Sequence, residues 1–148
     1  MKAFAIFACA AAICVVGATA TFGEASEITL FGSDASAVAY IADDLTIYLW
    51  SGEPVAYLEP DMSGELHVYG FNGRHLGWYS SGILYDYTGH AVGARQEAFM
   101  SYVKPEPYKA YKNYKPFKAF KQFAPLRPFF LNEWSEMYLD EFLMAGSK

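Results

Sequence analysis

Three copies of one short pattern constrain the fold more than any other feature of this sequence. The copies are residues 48–57, 69–78 and 85–94. Each reads tyrosine, any residue, an aromatic residue, any residue, glycine, any two residues, an aliphatic residue, then alanine or glycine. An imperfect fourth copy precedes them, beginning at Phe31 and closing at residues 38–41, with two extra residues in its turn. Such internal repetition indicates a fold assembled from equivalent supersecondary units.

Each copy predicts a β-hairpin, because a turn dipeptide separates two alternating runs. The dipeptides are Ser51-Gly52, Asn72-Gly73 and Thr88-Gly89, and Asn-Gly is the strongest short signal for a two-residue type I′ turn. A two-residue turn places Tyr48 opposite Val55 and residue 46 opposite residue 57. Four such hairpins in a ring would give eight strands and remove the exposed edges. The prediction is an all-β, shallow, pseudo-fourfold barrel, with a two-sheet sandwich as the alternative.

Alternation along the strands gathers the aromatic residues of the repeats on one face. The opposite face carries small residues at one repeated place, namely Ala39, Ala56, Gly77 and Gly93. If the aromatic face lines the centre, the centre is either a filled core or an open site for a slim amphiphile. The candidate ligand-binding residues are Tyr48, Trp50, Tyr57, Tyr69, Phe71, Trp78, Tyr85 and Tyr87.

The sequence pattern changes after Val103. In residues 104–131, which we call the strap, aromatic residues recur every third position, with a lysine after each of the first five. The row is Tyr108, Tyr111, Tyr114, Phe117, Phe120 and Phe123. A repeat of three scatters around an α-helix, drifting about 60° per step, but forms a single row on a polyproline II helix. The prediction is an extended, polyproline II-like segment.

The charge is strongly segregated between the repeats and the strap. Residues 21–103 carry a net charge of −9, whereas residues 104–127 carry +6. A basic arm could bind nucleic acid, anionic lipid or an acidic wall polymer. The favoured alternative is a strap whose aromatic row packs on the barrel while its lysines meet the acidic residues of the barrel.

The two ends of the chain carry separate predictions. Residues 1–20 resemble a secretory signal peptide, with cleavage after Ala18-Thr19-Ala20, and a retained anchor is the alternative. Both cysteines lie in that segment, so the mature chain has none. The mature chain would begin with the repeat domain, residues 21–103.

Residues 132–148 predict a short helix over 133–144, capped by Asn132. Its aromatic face would dock on the barrel, with membrane contact as the alternative.

No catalytic pattern emerges from the polar residues. His67, His75 and His90 lack metal-ligand spacing, and neither a nucleophile motif nor a phosphate-binding loop is present. We therefore predict no enzyme, no metal and no cofactor.

The segments "YLWSGEPVAYL" (residues 48–58), "VYGFNGRHLGWY" (68–79) and "GILYDYTGHAVGAR" (82–95) resemble the fourfold β-flower proteins of bacteria. The Lys/Pro-rich stretch and the final "EWSEMYLDEFL" strengthen that resemblance, which covers residues 30–143. It implies a shallow pseudo-symmetric barrel around an apolar centre and no known activity. The implied barrel is distantly similar to tubby-like domains, which bind lipids.

The functional prediction is a secreted or periplasmic, non-catalytic binding or structural module of the cell envelope. Its partner would be a lipid-like ligand or an envelope component, with no nucleic acid and no transmembrane segment after signal removal. The alternative is a module that binds carbohydrate or a wall polymer, because "NGRHLGWY" loosely resembles the aromatic Gly-Trp repeats of wall-binding proteins. Aromatic rows that point outward would favour stacking on sugars. The oligomeric state is not predicted.

Overall fold

Eight short antiparallel strands close into a barrel in the computed structural model, which describes residues 26–147. Each strand pairs with its neighbours in sequence, and the first pairs with the last through Phe31 and Ala94. This closure confirms the predicted ring of four hairpins and excludes the sandwich. The strands are β1 (Ile28–Phe31), β2 (Ala37–Ile41), β3 (Thr46–Leu49), β4 (Pro54–Pro60), β5 (Leu66–Gly70), β6 (His75–Ser80), β7 (Ile83–Tyr85) and β8 (Ala91–Ala94).

The predicted signal peptide and the predicted mature start at Thr21 lie outside the described residues. Within residues 26–147, no helix has both the length and the apolar character that a bilayer span requires.

The hairpins share a three-residue loop rather than the predicted two-residue turn. In the second hairpin, the Leu49 N–H donates to the Glu53 carbonyl at 2.8 Å, and the Gly52 N–H donates to the Leu49 carbonyl at 2.8 Å. Gly52 has a φ of +87°. The loop is therefore a tight turn ended by a left-handed residue that forms a β-bulge. The same two hydrogen bonds close the other three hairpins.

The bulge moves one residue of each hairpin to the other face of the sheet. Tyr48 pairs with Pro54, so its predicted pairing with Val55 is wrong, whereas Thr46 does pair with Tyr57. A shift of one residue exchanges the two faces of a strand, and Val55 consequently turns into the barrel. Equivalent register shifts occur in the three other hairpins.

The first hairpin matches the others and contains no extra residues. The Gly32 N–H donates to the Ser36 carbonyl, and the Ala35 N–H donates to the Gly32 carbonyl, each at 3.0 Å. Ala35 has a φ of +64° and occupies the place of the tip glycine in the other copies. The sequence pattern concealed this equivalence because an alanine replaces the glycine.

Aliphatic side chains and a C-terminal helix fill the lumen of the barrel. One buried cluster contains residues from all eight strands together with Leu139, Phe142 and Leu143 of α1 (Leu139–Met144). Only the inside of a closed ring lets every strand contribute to one cluster. The repeated small residues face this helix: a Cβ atom on Gly93 would overlap the Leu139 side chain, and one on Gly77 would overlap the Tyr85 carbonyl oxygen and crowd the Phe142 ring.

The helix is shorter than predicted, and its predicted cap is wrong. It begins at Leu139, with Tyr138 in the N-cap position, rather than after Asn132. Residues 133–135 instead form a parallel bridge to β8, in which Ala91 makes two backbone hydrogen bonds on either side of Trp134. Trp134 therefore lies outside the helix and does not share a helical face with the residues that fill the lumen.

Candidate binding surface

The strap runs past the tips of all four hairpins in a fixed register. At each tip, the carbonyl of the left-handed residue accepts a hydrogen bond from a strap N–H, at 2.8–2.9 Å. The pairs are Lys104 to Ala35, Asn113 to Gly52, Gln122 to Gly73 and Leu131 to Gly89. The donors are nine residues apart, so each nine-residue stretch of the strap supplies one such hydrogen bond to one hairpin tip.

A nine-residue repeat in the strap sequence corresponds to this register. Residues 104–112 (KPEPYKAYK), 113–121 (NYKPFKAFK) and 122–130 (QFAPLRPFF) align without gaps. Each has proline at its fourth position, a large apolar residue at its fifth and a cation at its sixth. Sequence reasoning found the period of three but missed the period of nine, which was the available signal that the strap matches the fourfold ring.

The tip glycines let the strap backbone lie directly against the hairpins. Gly73 has a φ of +86°, and a Cβ atom built on it would overlap the Phe120 carbonyl oxygen. The tip glycines of the second and fourth hairpins contact Tyr111 and Phe129 in the same way. Glycine is therefore needed at these tips both for the left-handed turn and for close approach of the strap.

Strap cations lie over the aromatic rings on the outside of the barrel. Their charged atoms lie within the range of cation–π attraction. The Lys109 Nζ is 4.1 Å from the centroid of the Tyr40 ring, and the Lys118 Nζ is 4.1 Å from that of Tyr57. One turn further on, the Lys121 Nζ is 5.5 Å from the Tyr69 centroid.

Most of these cations are also paired with carboxylates of the barrel. The ion pairs are Lys109–Glu27, Lys112–Glu27 (2.6 Å), Lys115–Asp44 (2.5 Å), Lys121–Glu59 and Arg127–Glu65 (2.6 Å). Burial alone would raise the pKa of Asp44, but Lys115 and the Thr46 N–H overcome it and lower that pKa to about 2. The positive charge of the strap is therefore largely neutralised within the molecule.

The aromatic row faces solvent, which is the reverse of the predicted packing. Every member of the row is at least 89% exposed, and Leu126 and Phe129 extend it. The reason is that three sets of residues alternate along the strap. One set donates its backbone N–H groups to the hairpins, and the lysines form the second set, which also meets the barrel. The outer barrel face presents tyrosine rings and carboxylates, which attract cations, so the aromatic residues take the remaining direction.

The eight predicted ligand-binding aromatic residues lie on the outer face of the barrel, beneath the strap, and do not line the centre. Five of them alternate with lumen residues along the strands, whereas Trp50, Phe71 and Tyr87 lie in the loops at the hairpin tips. Tyr87 is half exposed and Trp50 is half-buried. The other six are buried, namely Tyr48, Tyr57, Tyr69, Phe71, Trp78 and Tyr85. Of the two directions that the sequence left open, the aromatic face therefore takes the outward one, and these residues form the surface on which the strap packs.

Two contacts show how the strap packs on these aromatic residues. The Tyr69 hydroxyl donates to the Gln122 carbonyl at 3.1 Å. The ring of Phe130 stacks on that of Tyr85, with the centroids 3.9 Å apart and the planes 3° from parallel. Phe130 occupies the repeat position of Lys121, so an aromatic ring replaces a cation over the equivalent tyrosine.

Two histidines that are separate in sequence meet on the outer face. The His67 Nδ1 lies 2.9 Å from the His75 Nε2, and the His67 Nε2 lies 3.1 Å from an Asp61 carboxylate oxygen. The Tyr87 hydroxyl lies 3.3 Å from the His75 Nδ1. The bulge explains why sequence reasoning missed this pair: it places His75 opposite Tyr69, on the same face as His67.

The histidine pair has the features of a structural network. Burial, together with the charge of His67, lowers the pKa of His75 to about 4. Hydrogen bonds from Ser63 and His67 hold the pKa of Asp61 well below its usual range. In residues 26–147, no serine or threonine hydroxyl is hydrogen-bonded to either histidine of the pair. The arrangement therefore lacks the nucleophile of a hydrolytic triad.

One group of side chains has the composition of a metal site. Ligand atoms of Asp61, Glu65 and His67 lie within 4.8 Å of one another. Each carboxylate already has an internal partner, because Asp61 bonds to His67 and Glu65 pairs with Arg127 of the strap. These bonds satisfy the cluster without a cation.

An open groove of about 800 Å³ lies between the strap and strands β4 and β5 of the second and third hairpins. Its wall combines tyrosines and a carboxylate of the barrel with lysines and phenylalanines of the strap. The lining residues are Tyr57, Glu59, Tyr69, Lys118, Ala119, Phe120, Lys121, Gln122, Phe123 and Ala124. This volume lies within the usual range for small-molecule sites.

Comparison with known proteins places these features in a family. A family model described as "4-fold beta flower protein" matches residues 28–143, which run from β1 into α1 and include the whole strap. No curated protein and no solved structure matches the chain.

Proposed function

This chain belongs to the 4-fold beta flower protein family, and we propose that it is a non-catalytic binding module of the cell envelope. The strap would contact an apolar or amphipathic ligand, such as the surface of a lipid bilayer, through its aromatic row. The barrel would act as the scaffold that holds the strap. The family is not a known enzyme family, and the histidine network lacks a nucleophile, so a binding role accounts best for the molecule.

The exposed aromatic row is the observation that carries this proposal. Soluble proteins rarely expose contiguous large apolar side chains without a partner for them. Aromatic residues are also enriched where proteins meet the interface of a membrane. Because hydrogen bonds to the hairpin tips hold the strap backbone, its aromatic side chains are displayed with little loss of chain entropy on binding.

The charge of the strap argues against a polyanionic partner. Binding to nucleic acid depends on lysines and arginines that are free to neutralise phosphates. Here Lys112, Lys115 and Arg127, among others, are already paired with barrel carboxylates. Attraction to a polyanion would require these internal ion pairs to be broken.

A carbohydrate or wall polymer is the second candidate, because outward aromatic residues can also stack on sugar rings. Recognition of sugars usually adds hydrogen-bonding groups beside the aromatic platform. Lys118 and Lys121, which follow Phe117 and Phe120, turn toward the barrel, and phenylalanine itself offers no hydrogen bond. That part of the row favours an apolar medium.

Export is a separate part of the proposal. It rests on the charge-free run of residues 3–16 and on Ala18-Thr19-Ala20. The expected result is a secreted or periplasmic protein whose intact mass corresponds to a chain starting near Thr21. A mature protein that retains Met1 and the apolar run would contradict it.

Flotation with vesicles tests the binding function. The mature protein should float with neutral phosphatidylcholine vesicles, and the triple variant Phe117→Ser, Phe120→Ser, Phe123→Ser should remain at the bottom. Met62→Ser is the control, because Met62 is a fully exposed large apolar residue that is not part of the strap. Absence of flotation by the unaltered protein would contradict lipid contact, and capture by purified wall sacculi instead would support the second candidate.

A further inference from the structure

The repeated geometry of the strap provides an internal comparison between two lysines. Lys109 and Lys118 are nine residues apart, and each has its Nζ 4.1 Å from the ring centroid of an equivalent tyrosine, Tyr40 or Tyr57. The ammonium of Lys109 also pairs with the carboxylate of Glu27. In residues 26–147, no carboxylate lies within salt-bridge distance of Lys118.

The place beside Lys118 opens into the groove of about 800 Å³. Glu59 also lines the groove, but its carboxylate pairs with Lys121, so the local charge that is left over is one positive charge. The hydroxyl of Tyr57, like that of Tyr40 at the matched site, is buried and has no hydrogen-bond partner within the described chain, so the difference between the two sites lies in the carboxylate. Phe120 and Phe123 supply apolar surface at the same groove.

We propose that this groove binds the carboxylate headgroup of a slim amphiphile of the fatty-acid class, in the position that Glu27 takes beside Lys109. The proposal rests on the proposed function for the apolar part of the ligand, which would lie along the aromatic row. A carboxylate is expected because the group that pairs with Lys109 at the matched site is the carboxylate of Glu27. A single charge is expected because, within residues 26–147, Lys118 is the one groove-lining cation without a carboxylate partner.

Isothermal titration of the mature protein with sodium octanoate, below its micellar concentration, tests the headgroup site. Octanoate should bind with one equivalent per chain. Lys118→Met should weaken that binding about tenfold or more, since a hydrogen bond to a charged group typically contributes that much. Lys109→Met is the matched control and should change octanoate affinity less than about twofold, because Glu27 already occupies its site.

Two further ligands separate the carboxylate from the chain. Acetate carries the charge alone and 1-octanol carries the chain alone, so both should bind more weakly than octanoate. Equal affinity for octanoate and octanol, or equal weakening by Lys118→Met and Lys109→Met, would overturn the headgroup site. A thermal melt of Lys118→Met, whose side chain is exposed, checks that the variant is folded.

The titration tests the headgroup site and the flotation assay tests contact with a bilayer, so a negative result in one does not decide the other. Vesicle binding without octanoate binding would overturn the headgroup site and leave the proposed lipid-contact function standing. Octanoate binding that depends on Lys118, without flotation, would support the headgroup site and contradict contact with a bilayer.

Discussion

Replacing Gly73 with alanine should detach the middle of the strap, whereas the same change at Gly64 should not. Both glycines have a φ of +86°, and each donates its N–H to the carbonyl three residues earlier at 3.0 Å. Alanine in this left-handed region costs about 1 kcal/mol at either site. The two sites differ in their surroundings: a Cβ atom on Gly73 would overlap the Phe120 carbonyl, whereas nothing lies within 4 Å of one on Gly64.

The additional cost at Gly73 follows from the contacts that the strap would lose. Withdrawal of Phe120 from the hairpin tip breaks the hydrogen bond from Gln122 to Gly73, at 2.8 Å, and that from Ala119 to the third hairpin, at 2.9 Å. Each contributes about 1 kcal/mol. We therefore expect Gly73→Ala to lower the free energy of unfolding by about 3 kcal/mol and Gly64→Ala to lower it by about 1 kcal/mol.

Urea denaturation measures the two losses of stability, and limited trypsin digestion locates the change. In Gly73→Ala, cleavage after Lys118 and Lys121 should become much faster under native conditions, because the released backbone can enter the protease. In Gly64→Ala, cleavage at these sites should stay as slow as in the unaltered protein. Equal losses of stability in the two variants, with equal cleavage of the strap, would refute the docked strap.

Three further predictions concern the aromatic row, the lumen and the histidine network. The triple serine variant at Phe117, Phe120 and Phe123 should keep its unfolding free energy within about 0.5 kcal/mol per site, and a large drop in urea midpoint would contradict the exposure of the row. Phe142→Ala should cost about 3–5 kcal/mol in urea denaturation, because it empties part of the lumen; a near-neutral result would refute the filled centre. The neutral form of His75 is favoured in the folded state, where its pKa is about 4 rather than 6.5. Its contribution to stability should be complete above pH 6.5 and should be lost as the pH falls toward 4, so a urea midpoint that is constant between pH 7.5 and 4.5 would contradict it.

The sequence alone determined the elements and their number. Repeated aromatic, glycine and small residues in residues 48–94 predicted hairpins, because the local rules for turns and strands act over a few neighbouring residues. The period of three and the excess of lysines after Val103 predicted an extended segment of opposite charge to the barrel. These features require no knowledge of long-range packing, and the all-β ring is confirmed.

Only the tertiary structure decided which face of each strand and of the strap is buried, and which part of the molecule that face packs on. Alternation along a strand defines two faces, but both faces here are apolar, so hydrophobicity could not choose between them. Closing eight strands around α1 leaves room only for aliphatic and small residues such as Gly93, and the tyrosine rings are therefore directed outward. In the strap, cations match the outer carboxylates and tyrosines better than phenylalanine does, so the aromatic row is directed into solvent.

The same reasoning explains the histidine pair, which no local pattern predicted, and the late start of the predicted C-terminal helix at Leu139. His75 meets His67 because a bulge shifts the register by one residue, and the bulge depends on loop geometry that the Asn72-Gly73 dipeptide does not specify. Trp134 leaves the predicted helix because β8 offers free backbone groups at Ala91. In both cases the deciding partner lies on another strand, so the outcome follows from which backbones the closed ring brings together.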